Sequence, residues 1–295
     1  MSKRIICFGE TLWDMLPSGA VPGGAPMNVA IRSKSFGLDA SIISKVGNDK
    51  FGNGLIDFLK KKEVNTSLLQ IDQEFPTGIV DVLIDSKGIA TYDIKYPSAW
   101  DKIELTEAAI KKVKEAEAFI FGSLACRDHH SRQTLLELIK YAKFKVFDVN
   151  LRPGFFDLAL IKQLMEDSDL VKLNDEEIAT LAVQLGSKSN DLFENIAFLH
   201  NELHLNAICV TRGEKGAVLF NESKFYSNNG LMVNVADTVG SGDSFLAALI
   251  FKLLTNNNYQ QALDFACAVG TIVATKTGAN PEISASDIEA IMLKF

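Results

Sequence analysis

The stretch VADTVGSGDSFLAALIF, Val235–Phe251, places Gly240, Ser241 and Gly242 directly before Asp243 and then runs into an apolar helix. A helix start needs one capping side chain, which Asp or Ser supplies. Three small residues in a row exceed that need. They let backbone N–H groups approach a ligand closely, and the helix that follows adds the positive end of its dipole. Together these make an anion hole suited to a phosphoryl group. Asp243, at its edge, is placed to take a proton from an attacking hydroxyl, and the helix terminus favours its ionised form. Taken alone, the stretch reads equally as a glycine-rich turn with Asp243 as its cap.

Working outward, short apolar runs alternate with helical patterns. Strands are expected at Arg4–Phe8, Ser41–Val46, Ala118–Phe121, Lys145–Val149, Leu170–Leu173 and Ala207–Thr211. Helices are expected near Met27–Phe36, Gly52–Lys61, Thr106–Lys114, Ser131–Tyr141, Ile161–Met165 and Asp191–Leu203, then at Asp243–Leu254, Tyr259–Thr277 and Ser284–Leu293. Apolar strands separated by helices indicate βαβ units and a parallel sheet covered on both faces. Ligands on such sheets bind beyond the carboxyl ends of the strands. Thr77–Ile84 and Ile89–Tyr96 flank Asp85-Ser86-Lys87-Gly88 and read as a β-hairpin. With the irregular Thr11–Val21 they suggest a small β-rich flap.

The bulk numbers bound the chain to a globular protein with ample material for a core. The 295 residues are 47% hydrophobic and 23% charged, enough for one large α/β domain with an insertion or for two smaller ones. A net charge of −7 argues against nucleic acid or an anionic membrane as partner. The four cysteines, Cys7, Cys126, Cys209 and Cys267, form no CxxC pair, and buried free thiols are expected. The start, MSKRIICFGE, has too short an apolar run for a signal peptide, and a cytoplasmic location is expected.

A second glycine-rich helix start decides between the two readings of Val235–Phe251. Gly23-Gly24-Ala25-Pro26-Met27-Asn28-Val29-Ala30 opens a helix, followed by Gly37 and by Lys45-Val46-Gly47-Asn48-Asp49. This pattern, with DTVGSGD two hundred residues later, resembles both signatures of the ribokinase-like (PfkB) carbohydrate kinases, and the resemblance covers essentially the whole chain. It implies a single catalytic domain over 1–295: a three-layer α/β/α sandwich with a mostly parallel central sheet and a β lid from about 11–22 and 75–100. It implies ATP and Mg²⁺ as cofactors, with Asp243 as catalytic base and Gly240, Ser241 and Gly242 as the anion hole.

Other positions follow the family's order. Asn174 and Glu177 in Asn174-Asp175-Glu176-Glu177 resemble its NxxE element, implied to organise Mg²⁺, through water at Glu177, and the nucleotide phosphates. Thr211, Gly213 and Gly216 match a TxGxxG turn that contacts the nucleotide. Asp148, Asn150 and Arg152 in FDVNLRP match a D-x-N-x-R element, where Arg152 could neutralise developing charge. By themselves, NDEE reads as a solvated helix start and Arg152 as a surface ion pair. A potassium-type ion is implied at Asp237, Val239, Lys276 and Gly278, although Glu282 stands where the family often carries a serine.

Finer likeness is to the fructokinase branch, through GETLWDMLPSG with GGAPMNVA, Tyr96–Asp101 and Gly122–Ala125. It implies a sugar held by Asp14, Gly24 and Asn28, with Arg127 on the sugar side and Trp13, Phe75 or Trp100 over its apolar face. Trp13 and Trp100 read equally as packing anchors of the flap. Fructose leads as substrate; 2-keto-3-deoxygluconate, ribose or a nucleoside such as adenosine are alternatives, as is a non-catalytic sugar or nucleotide sensor. An exposed flap edge could pair with that of a second copy, making a homodimer.

Competing motifs fail. There is no GxxxxGK[ST], HRD or DFG, and no GxGxxG after a strand. His200 and His204 lack the Glu of a zinc motif, since Asn201 stands there, and Asp128-His129-His130 has no companion cluster. A serine hydrolase built on Ser244 needs a later histidine, and none follows His204.

Overall fold

A computed structural model describes residues 2–84, 90–152, 154–256 and 258–295, with the backbone alone at 83, 84, 90 and 91. The chain divides into two units, Met1–Lys143 and Phe144–Phe295. The first runs β1 (Arg4–Phe8), β2 (Leu12–Leu16), β3 (Gly19–Gly23), α1 (Ala25–Ser35), β4 (Asp39–Gly47), α2 (Lys50–Lys61), β5 (Leu69–Asp72), β6 (Gly78–Ile84), β7 (Ala90–Ile94), α3 (Glu107–Glu115), β8 (Ala118–Gly122) and α4 (His129–Ile139).

β1 is apolar along its length because it is an inner strand: Ile5 stands in parallel register with Ala40 on β4 and Ala118 on β8. The order is β8-β1-β4-β5. Ile5, Ile6, Phe8, Ile42, Ile43, Phe119 and Phe121 are fully buried there, and Phe8 meets Phe119 edge-on with centroids 6.3 Å apart. α2 starts where Asp49 Oδ1 accepts from the Gly52 amide at 2.7 Å; it buries Leu55 and Leu59 and ends on Lys60 and Lys61, the charge order that suits its dipole. A second sheet, β3-β2-β6-β7, gathers the two segments expected to form the flap. The turn read from Asp85-Ser86-Lys87-Gly88 lies outside the described residues.

The second unit runs β9 (Lys145–Asp148), α5 (Leu158–Glu166), β10 (Leu170–Asn174), α6 (Asp175–Gln184), α7 (Leu192–Leu203), β11 (Ala207–Thr211), β12 (Ala217–Asn221), β13 (Lys224–Asn228), α8 (Ser241–Thr255), α9 (Tyr259–Ala274) and α10 (Ala285–Met292). Its strand order is β13-β12-β11-β10-β9. β10 pairs in parallel with both β9 and β11, while β12 and β13 add an antiparallel edge. That hairpin is absent from the sequence reading for a physical reason. Its turn residues Glu222 and Ser223 have φ of 50° and 60°, a left-handed pair that usually advertises itself by Gly or Asn. α9 stops at Ala274, short of the expected Thr277, where the Thr275 hydroxyl turns back onto the Ile272 carbonyl at 2.7 Å.

All four cysteines are buried as free thiols. Burial pushes all four thiols up, Cys126 and Cys209 to about 12. Among the described residues no helix is long and apolar enough to cross a membrane.

Candidate active site

In the second unit the decisive stretch folds into a loop and the first turn of α8. Gly240 is the N-cap residue at φ 72°, and a Cβ there would run into the Ala279 backbone, so only glycine fits. Asp243 lies in the first helical turn. Asp237 staples the loop, its Oδ1 accepting from the Val239 amide and its Oδ2 from the Gly278 amide, each at 3.0 Å. The Ser241 hydroxyl donates to the Gly270 carbonyl at 2.9 Å.

This geometry narrows the expected cradle. The Val239 amide is committed to Asp237, and the Ser241 amide to the Thr238 carbonyl at 3.2 Å. The amides of Gly240 and Gly242 are the two with no protein partner among the described residues. Two donors plus a helix N-terminus still suit a phosphoryl oxygen.

A charged cluster surrounds Lys172 of β10, a residue absent from the sequence reading because DLVKL looks like one more apolar strand. Lys172, Asp148 and Glu177 are all buried. Lys172 Nζ donates to Asp148 Oδ1 at 2.9 Å, and Asn150 Nδ2 donates to the other Asp148 oxygen at 2.7 Å. Burial alone would lower the Lys172 ammonium, but Asp148, Glu177 and Asp243 together hold it above its usual value.

Asn174 and Glu177 form a capping box on α6. Asn174 Oδ1 accepts from the Glu177 amide, and Glu177 Oε2 accepts from the Asn174 amide, both at 2.8 Å. Glu177 Oε1 accepts from the Leu151 amide at 2.8 Å. Burial pushes the Glu177 carboxyl above its usual range, with Lys172 pulling against it. Among the described residues no three His, Cys, Asp or Glu are grouped to hold a metal. With both oxygens of Glu177 engaged, the residues fit a Mg²⁺ met through water rather than one bound directly.

Arg152 is exposed and makes no ion pair among the described residues; its guanidinium donates to the Leu151 carbonyl at 3.3 Å. Thr211 Oγ1 donates to the Leu173 carbonyl at 3.3 Å. Arg212 and Gly216 close the TxGxxG turn with an amide-to-carbonyl bond of 2.8 Å. Gly216, at φ 77°, leaves no room for a Cβ against Asn228 and Gly230. Asp237 thus ties Val239 to Gly278, while the Lys276 ammonium donates to the Glu282 carbonyl at 2.7 Å.

In the first unit Asp14 on β2 packs its carboxylate against Gly23, its neighbour strand's last residue. Gly24 caps α1 at φ 117° beneath the Glu10 carbonyl. The Ala25 amide reaches Glu10 Oε1 at 3.3 Å. Asn28, one turn into α1, is buried. Glu10, buried within GETLWD, was missed as a member of this group.

Three sequence expectations take a different form. Trp100 is fully buried, with the Arg127 guanidinium 4.0 Å from its ring centre, so it has no surface with which to cover a sugar. Arg127 grips Asp101 with two bonds of 2.8 and 2.9 Å and donates to the Ile94 and Lys95 carbonyls at 3.4 and 2.6 Å. That makes it a brace at the foot of β7 rather than a ligand on the sugar side. Trp13 donates its indole N–H to the Phe51 carbonyl at 2.9 Å and packs on that ring, the packing-anchor reading.

The family model for pfkB family carbohydrate kinases matches residues 18–285. The chain belongs to this family. A fructokinase-2 of Solanum lycopersicum is 30% identical, with 99% of this chain and 97% of that protein covered. A fructokinase from Xylella fastidiosa with bound ATP superposes with TM-score 0.87 at 23% identity, covering 100% and 99% of the two chains. A fructokinase from Vibrio cholerae O395, in its fructose, ADP and calcium bound form, gives 0.84 at 23% identity, covering 98% and 99%. These likenesses show the ribokinase-like α/β fold, and family membership makes the protein a sugar kinase, a phosphotransferase with an alcohol acceptor.

Proposed function

We propose that the protein phosphorylates fructose on its 6-hydroxyl at the expense of ATP. The observation that carries this is the start of α8, where Gly240 at φ 72° and the unpartnered Gly242 amide precede Asp243 in the first turn. Asp243 takes the proton of the attacking hydroxyl as its oxygen bonds to the terminal phosphorus and the bond to ADP breaks. The Gly240 and Gly242 amides, with the α8 dipole, stabilise the charge on the transferring group. Ser241 holds the loop shape through Gly270, and exposed Arg152 is available to neutralise phosphate charge.

Asp14, Gly24 and Asn28 hold the sugar, while Thr211, Gly213 and Gly216 form the nucleotide turn. Bound Mg²⁺ would screen the phosphates, held through water by Asn174 and Glu177. A potassium-type ion would sit on backbone carbonyls near Asp237, Val239, Lys276 and Gly278. Fructose is supported by the full-length likeness to a plant fructokinase and by the fructose bound to the Vibrio cholerae protein. The test is a coupled ADP-release screen over fructose, ribose, keto-deoxy sugar acids and nucleosides. Highest kcat/KM for fructose is expected; a clear preference for another compound replaces the substrate and leaves the chemistry standing.

A further inference from the structure

Lys172 and its partner Asp148 lie outside the roles assigned above. A lysine in the middle of an inner strand, as Lys172 is in β10, carries a full charge into the interior, which is costly unless it is paired. Here the pairing is specific. Asp148 from β9 bonds the ammonium at 2.9 Å, and Asn150 fixes the opposite Asp148 oxygen at 2.7 Å. From β10 the ammonium points at the glycine loop, since a Cβ on Gly242 would lie 3.4 Å from Lys172 Nζ. The titratable groups facing it are Asp148 from β9, Glu177 from α6, Cys209 from β11 and Asp243 from the first turn of α8. Three of these are carboxyls, so without Lys172 their negative charges would oppose one another and the incoming phosphoryl group.

We propose that Lys172 is a positioning residue for phosphoryl transfer: held by Asp148 behind Gly242, its ammonium supplies a fixed positive charge that keeps Asp243 a carboxylate and reinforces the two-amide cradle. Burial makes such a charge effective, because little water screens it. Its partner Asp148 tempers it, so the two residues act on Asp243 with opposite signs. This inference rests on the reading of Asp243 as base.

The opposite signs supply the test. Lys172→Met keeps an unbranched side chain, one atom shorter, and removes the charge; Asp148→Asn keeps the shape and leaves the lysine untempered. Folding of each is checked by circular dichroism, and kcat/KM for the sugar is measured against pH at saturating ATP. Losing a nearby positive charge raises the pKa of a carboxylate, and losing a negative one lowers it. The acid limb is therefore expected to move up by about half a pH unit or more in Lys172→Met and down in Asp148→Asn. In Lys172→Met, kcat should fall about tenfold or more with sugar KM changed less than about threefold. Lys172→Arg should return the limb towards wild type.

Acid limbs that coincide with wild type in the folded variants overturn the proposal, as does movement of both in one direction. If Lys172→Met does not fold, the downward shift in Asp148→Asn decides alone. Asp243→Asn is run beside them. Wild-type turnover there removes the base assignment itself, whereas a dead Asp243→Asn with unmoved limbs in the other two removes only the role of Lys172.

Discussion

Asp49 closes on Thr77 with both carboxylate oxygens: Oδ2 accepts from its amide at 2.9 Å and Oδ1 from its hydroxyl at 2.8 Å. The same Oδ1 caps α2 through Gly52. One side chain thus joins the KVGND loop, a helix start and the entry to β6. Asp49→Ala should cost about 1–3 kcal/mol, a lost cap plus lost hydrogen bonds to a charged acceptor. Urea denaturation measures it, and an unchanged midpoint would show the bonds to be dispensable.

The same carboxylate gives a pH dependence. Burial would raise Asp49, but hydrogen bonds from Thr77 and Gly52 outweigh it and hold it below its usual value. A carboxylate depressed in the folded state adds stability that is complete above its unfolded pKa and is lost as pH falls through the folded one. Wild type should therefore lose stability on acidification below about pH 4, and Asp49→Asn should lose less over that interval. Parallel stability–pH curves for the two proteins would contradict this.

Arg127 and Asp101 are 3% and 0% exposed in their side chains. Removing one member of such a pair strands a buried charge. Arg127→Met should destabilise the protein by about 3–5 kcal/mol, and Arg127→Lys, which keeps the charge but not the fork, by less. If Arg127 instead met the sugar directly, its loss would raise KM while thermal unfolding stayed in place.

Asp243→Asn should lose about 10²–10⁴ in kcat, the usual contribution of a positioned base, while sugar and nucleotide still bind by calorimetry. A variant that turns over at the wild-type rate would leave Asp243 as a helix residue only.

A potassium-type ion beside Asp237 predicts faster turnover in potassium than in a bulky organic cation at equal ionic strength. Equal rates would show that Glu282, in place of the family's serine, marks a site that needs no monovalent ion.

The parts of this fold written in local periodicity were legible in the sequence. β1, β8 and β11 follow from unbroken apolar runs, and α7 and α8 from helical spacing. Gly240 at the α8 start was legible because only glycine tolerates its backbone, at φ 72° against Ala279. What stayed hidden depends on distant partners. Lys172 looks like an interruption in DLVKL until Asp148, 24 residues away, is seen to meet it. Arg127 and Trp100 look like sugar ligands until Asp101 is found gripping the first and the second is seen to be fully buried. Asp243 gave no hint that the amides of Val239 and Ser241 were already engaged by Asp237 and Thr238.

The enclosed thiols have a practical consequence. Alkylating reagents attack the thiolate, and all four cysteines are both shielded and held protonated. The native protein is thus a silent background for site-directed labelling. A cysteine introduced at exposed Tyr92 on the small sheet would take up a fluorophore without first mutating the native four.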